Sequence, residues 1–142
     1  IVCAIDAKKA ITKTASKNII PEVKCDNNSQ WEVFSHGGRH PTGIDALKWA
    51  KYMESCGAGE LLITSMDKDG TKTGYDIELT KNISEKSKIP IIASGGAGKI
   101  DHISDILNYS DAALLASLLH YKEYSIEEIK QYCLKQKVSI RS

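Results

Sequence analysis

The chain has 142 residues, enough for one domain of ordinary size. Its 42% hydrophobic and 26% charged content is that of a soluble globular chain, which excludes disorder over most of its length. The formal net charge of +1 leaves no basic excess to neutralise nucleic-acid phosphates, so no such partner is expected. No apolar run reaches the ~20 residues that span a bilayer, and no signal-peptide pattern is visible, so a cytoplasmic protein without a membrane partner is expected. Cys3, Cys25, Cys56 and Cys133 share no CxxC spacing and read as reduced thiols.

The chain opens inside an apolar run, IVCAI (1–5), without methionine or a polar lead-in, and further residues upstream are expected. From Asp6 to Thr42 runs a non-helical insertion. Asn27, Asn28 and Ser29 read as a turn, and WEVFSH (31–36) alternates like a hairpin strand. Thr42 is placed as the cap of a helix through GIDALKWAKYMESC, whose stripe joins Ile44, Leu47 and Ala50 to Ala46, Trp49, Met53 and Cys56. Gly57 supplies a left-handed stop. A second apolar run, ELLITS (60–65), follows. Asp76 then caps IELTKNISEKS, with Glu78 where the helix dipole favours an anion. After IPIIAS (89–94), Asp101 precedes HISDILNY, with Ile103, Ile106 and Leu107 on one side. The fourth run is DAALLAS (111–117), and SIEE (125–128) matches a capping box opening a last helix through Ile126, Ile129 and Cys133.

None of the four runs alternates, which suits parallel strands buried on both faces. Strands alternating with helices give a parallel sheet with right-handed crossovers. An open doubly wound sheet and a (β/α) barrel both satisfy that order, and both collect ligands at the carboxyl ends of the strands.

Those ends supply Asp6 and Lys8; then Thr64, Ser65, Asp67, Asp69 and Gly70; then Ser94, Gly95, Gly96 and Gly98; then Ala116 and Ser117. ASGGAGK leads into a helix and ASLLH opens a short one. Amides at glycine turns and helix starts bind phosphate, and two adjacent loops with this chemistry favour that reading over plain tight turns. The loop is no Walker A sequence, because Ala93 and Ile100 stand where glycine and a hydroxyl are required. Asp6 and Asp69, each placed just past a strand, are candidate acid–base groups, with helix capping or a loop hydrogen bond as the plainer role. The acids of DKDGTKTGYDIE mimic an EF-hand spacing, but Lys72 occupies the glycine position and a strand precedes the loop, so no metal is expected. His36, His40, His102 and His120 form no convincing ligand set and read as structural or solvated. Trp49 reads as helix packing.

AIDAK (4–8), GAGELLITSMDKDGTKTGYD (57–76), PIIASGGAGK (90–99) and DAALLASLLH (111–120), in this order, resemble the cyclase subunit family of imidazole glycerol phosphate synthase, from histidine biosynthesis. The resemblance runs from Ile1 to about Arg141 and covers only the second half of that family's chain. It implies a parallel (βα)4 half of a TIM (βα)8 barrel over 1–142, strands five to eight, with a β-hairpin excursion after the first strand and the N-terminal half absent. The implied reaction joins ammonia to a phosphorylated ribulosyl intermediate (PRFAR), yielding imidazole glycerol phosphate and AICAR without a cofactor.

Under the same resemblance Asp6 is the catalytic aspartate of this half, and Asp69 and Gly70 contact substrate. Gly96 and Ser117 give phosphate-binding amides, helped by Gly95 and Ala116, and Thr64 and Ser94 line the rim. Glu60 belongs to a charged ring that faces the glutaminase subunit and gates ammonia, unless it is a solvated strand-start acid. One carboxylate of the family's two implies negligible activity for this chain alone. Two bare parallel strand edges and an apolar inner face imply self-association or pairing with an N-terminal half. The pathway's related isomerase and a non-catalytic phosphate-binding scaffold module are the alternatives.

Overall fold

The computed structural model describes residues 1–10 and 19–141. Its elements in chain order are β1 (Val2–Lys9), a 3-10 turn (Pro21–Val23), β2 (Trp31–Ser35), β3 (His40–Asp45), α1 (Ala46–Ser55), β4 (Glu60–Ser65), α2 (Ile77–Ser84), β5 (Ile91–Ser94), α3 (Ile100–Ile106), β6 (Ala112–Ala113), α4 (Ser117–His120) and α5 (Ile126–Lys135). One sheet runs β3-β2-β1-β4-β5-β6. β1, β4, β5 and β6 are parallel neighbours, and β2 and β3 form an antiparallel hairpin against β1.

The parallel strands follow one another without reversal, which removes the doubly wound alternative: its order reverses at a switch point. The helices pack on one face. Ile5, Ala7, Leu61, Ile63 and Ile91 from the strands share one core with Ala46 and Ala50 of α1 and Leu79 and Ile83 of α2. Each fully buried Leu or Ile there contributes about 2 kcal/mol. A second cluster joins Ile103 of α3, Leu118 of α4 and Ile129 and Cys133 of α5. This is an α/β fold with the layering of a partial TIM barrel.

Several expectations change. The continuous apolar runs suggested strands covered on both faces, but β4 alternates half-buried and buried residues from Glu60 to Ser65 because only one face carries helices. β1 extends past Ile5 to Lys9, so Asp6 lies within a strand rather than beyond it. Thr42 does not cap α1. It belongs to β3, where its hydroxyl donates to the Val33 carbonyl at 2.7 Å, and Asp45 caps the helix by accepting from Lys48 N at 2.9 Å. Lys99 holds the N-cap position of α3 without a side-chain capping bond, which leaves Asp101 in the first turn. β6 keeps two residues of the seven-residue run.

Among the described residues the two bare parallel edges are short: β6, of two residues, and the Val2–Ile5 stretch of β1. The hairpin covers the outer edge of β1 from Asp6 to Lys9. Asp76 caps α2 through Leu79 N at 3.0 Å. The Ser125–Glu128 capping box forms in both directions. Trp49 packs on the main core and stacks on Tyr52 at 5.6 Å between ring centroids.

Candidate functional site

Parallel register sets one tier of the site. Asp6 pairs with Thr64, and Thr64 pairs with Ser94. Strand residues alternate faces, and Ile5, Ala7, Ile63 and Ala93 point into the helix-covered core, so Asp6, Thr64 and Ser94 sit side by side on the other face. Strands lie ~4.8 Å apart, which puts the three within ~10 Å of each other. Below this tier comes an apolar one, Ala4, Leu62, Ile92 and Ala112.

Just past Ser94 the chain turns through Gly95 and Gly96, and a cavity of about 190 Å³ opens. Ser94, Gly95, Gly96 and Ala97 form one wall, Leu114, Ala116 and Ser117 a second, and Asp69, Gly70 and Lys72 the third. The glycines are required by geometry. Gly95 and Gly96 have φ of +91° and +104°, and a Cβ on Gly95 would come within 2.7 Å of the Ser65 carbonyl oxygen. On Gly96 it would overlap the Gly74 carbonyl. The Gly74 amide donates to the Gly96 carbonyl at 2.8 Å, which ties the β4–α2 loop to the β5–α3 turn, and the Asp69 amide donates to Ser65 O at 2.8 Å within the β4–α2 loop.

The third wall is pinned as well. The Tyr75 hydroxyl donates to Leu114 O at 2.8 Å, and burial pushes that phenol's pKa far above its ordinary value. Ser65 Oγ donates to Asp76, the α2 cap, at 3.1 Å. α4 starts at Ser117, and its first hydrogen bonds run from Leu119 and His120 to Ala116 O. The amides of Ser117 and Leu118 precede those bonds and are therefore outside the helix ladder. Asp69 and Gly70 are exposed on the rim.

Glu60 stands apart. It starts β4 opposite Val2, four residues or roughly 13 Å below Thr64, at the other end of the strands. A larger cleft of about 410 Å³ lies at that end, between the α2–β5 and α3–β6 links. There the Asp111 carboxylate accepts from Ile91 N at 2.8 Å, a strand-anchoring contact.

His102 plays a structural part, its Nδ1 accepting from Gly98 N at 3.2 Å. Among the described residues no cluster of His, Cys, Asp or Glu could hold a metal. All four cysteines are free thiols, and among the described residues no helix is long and apolar enough to cross a membrane.

Three contacts at this end escaped sequence reasoning. Lys72 lines the cavity from a left-handed backbone position, φ +58°. Lys8 Nζ lies 5.0 Å from the Phe34 ring centroid. The hairpin tip reaches the start of the β4–α2 loop, where Gly38 leaves room for Met66. None has a local signal, because each joins segments distant in the chain.

The family described as "Histidine biosynthesis protein" matches residues 1–125. The chain belongs to this family. Two curated proteins named imidazole glycerol phosphate synthase subunit HisF are similar to this family member. That of Methanocaldococcus jannaschii is 50% identical over 149 residues, covering 99% of this chain and 54% of the relative. That of Clostridium botulinum is 50% identical over 143 residues, covering 99% and 51%. The chain thus spans about half the length of the curated relatives it matches. The family match ends at residue 125, the cap of α5, so every residue of the Asp6 tier and of the cavity lies inside it.

Proposed function

We propose that this chain is the C-terminal half-barrel, strands five to eight, of an imidazole glycerol phosphate synthase cyclase. In the complete enzyme it helps convert PRFAR and ammonia to imidazole glycerol phosphate and AICAR, a lyase-type cyclisation in the cytoplasm. The observation that carries this reading is the joint placement of the Asp6–Thr64–Ser94 tier and the glycine-walled cavity at one end of the parallel strands.

Cyclisation needs protons moved at a carbonyl-derived centre, and Asp6, half-buried on the uncovered face, is the carboxylate placed to move them. One substrate phosphate sits in the cavity. The backbone amides of Gly96 and Ser117 hold it, Gly95 and Ala116 shape the turns, and Asp69 and Gly70 contact the substrate from the rim. Thr64 and Ser94 line the path from cavity to Asp6. Glu60, at the far strand end, belongs to the entry for ammonia delivered by a glutaminase partner. The reaction asks nothing here of a cofactor.

The second grip and second carboxylate belong to an N-terminal half-barrel, so this chain alone turns over negligibly. Mixing it with a separately made N-terminal half tests the assignment. Ammonia-dependent loss of PRFAR is the expected result. Conversion of the earlier intermediate ProFAR would instead indicate the related isomerase, and phosphate binding with no turnover would leave a scaffold module.

A further inference from the structure

Lys72 is the one cation among the described residues lining the cavity, and Asp69 is the one carboxylate. The remaining walls are neutral glycine, alanine, serine and leucine. Lys72 is held by its backbone: it sits at φ +58°, and its carbonyl fills the space that a Cβ on Gly98 would take. Gly98 has no left-handed φ, so close approach is what glycine provides there. The Lys72 side chain meets the link between α4 and α5. Its Nζ is 2.9 Å from Glu123 Oε1 and 5.3 Å from the Tyr121 ring centroid. The pair spans 51 residues of sequence, and both side chains remain more than a third exposed, at 46% and 37%.

An ion pair this exposed adds little to stability, because solvent screens it and ordering two long side chains offsets the attraction. It is therefore poorly explained as a clamp. It is well placed as a store for a cation beside an anion site, since a phosphate dianion in the cavity offers the ammonium a stronger acceptor than one rim carboxylate. We propose that Lys72 is a phosphate-recognition residue held in reserve by Glu123. When phosphate enters, the ammonium exchanges Glu123 for a phosphate oxygen, and the Tyr121–Tyr124 link beside α4 is released from the β4–α2 loop.

This rests on the cavity being the phosphate site. The exchange makes substitutions at the two ends of one ion pair act in opposite directions, which a structural clamp cannot do.

Titration of the chain with inorganic phosphate, followed by calorimetry, tests it. Lys72→Met should weaken binding about tenfold, the loss of one charge-assisted hydrogen bond at a partly exposed site. Glu123→Gln should strengthen binding about two- to fivefold by freeing the ammonium. The Lys72→Met/Glu123→Gln double variant should bind like Lys72→Met alone, because the gain acts through Lys72. Equal weakening by both single changes, unchanged affinity in Lys72→Met, or a Glu123→Gln gain that persists without Lys72 would each overturn the exchange. A wild-type chain that fails to bind phosphate would overturn the cavity assignment instead. Thermal unfolding of each variant separates lost folding from lost binding, and neither change touches the main core.

Discussion

Along β1 and β4 neighbouring residues alternate between two surroundings. Ile5, Ala7, Leu61 and Ile63 are at most 1% exposed beneath the helices, whereas Ala4, Asp6, Leu62 and Thr64 face a surface that, among the described residues, no helix covers. The first set is chosen for packing, since its members are interchangeable only with residues of like volume. The second set changes character along the strand, from the acid Glu60 through apolar Leu62 to polar Thr64. A single strand thus buries its odd positions beneath the helices and presents its even ones on the open face, and substitutions one residue apart should fail in different assays.

The largest effect is expected on the uncovered face. Asp6→Asn should lower turnover of the reconstituted enzyme about 10³-fold, the size of a lost general acid–base group, while phosphate affinity stays unchanged. Unaltered turnover would remove Asp6 from its role. On the covered face Leu61→Ala should cost about 3 kcal/mol in urea unfolding, against under about 1 kcal/mol for its neighbour Leu62→Ala. Matching costs would break the comparison, because the second face would then be covered in solution by another chain. Gly96→Val should weaken phosphate binding about tenfold or more, because a Cβ forces the Gly74 carbonyl away and the left-handed backbone disfavours valine. Retained affinity would count against the cavity.

The smallest effect concerns the hairpin side of the covered layer. Burial, with Glu32 and Asp45 adding to it, pushes the Cys25 thiol up to about 11. A folded value above the unfolded one favours the protonated fold. That contribution is complete below the unfolded value of 9.0 and is lost as pH rises toward about 11. Cys25→Ala should therefore lose less stability than the wild type between pH 8 and pH 10.5 in urea titrations. Parallel slopes would show that Cys25 is not buried as described.

What the sequence made legible was mostly local. Asp76 and Ser125 cap α2 and α5 as their spacing implied, because both ends of each contact lie within four residues. The glycine pair at 95–96 and the paired serine-ended turns pointed to the cavity, because only glycine tolerates the backbone found there. Thr42 misled because two capping residues, Thr42 and Asp45, stand three apart, and the choice fell to a partner strand: Val33 takes the threonine hydroxyl. The Lys72–Glu123 pair had no signal at all, since nothing links positions 51 residues apart until the fold brings them together. Glu32 was equally silent. It is 1% exposed within the hairpin, where one carboxylate oxygen takes the Gly43 amide at 2.6 Å.

The hairpin's incomplete reach along β1 sets a rule for assembly. β2 occupies that margin only between Asp6 and Lys9, so among the described residues the backbone groups from Val2 to Ile5 have no neighbour on that flank. That margin has room for a strand of about four residues, running from Val2 up to the hairpin at Asp6. A longer added strand would meet the hairpin at Asp6, so the β1–β2 register sets how far along this margin a further strand could pair.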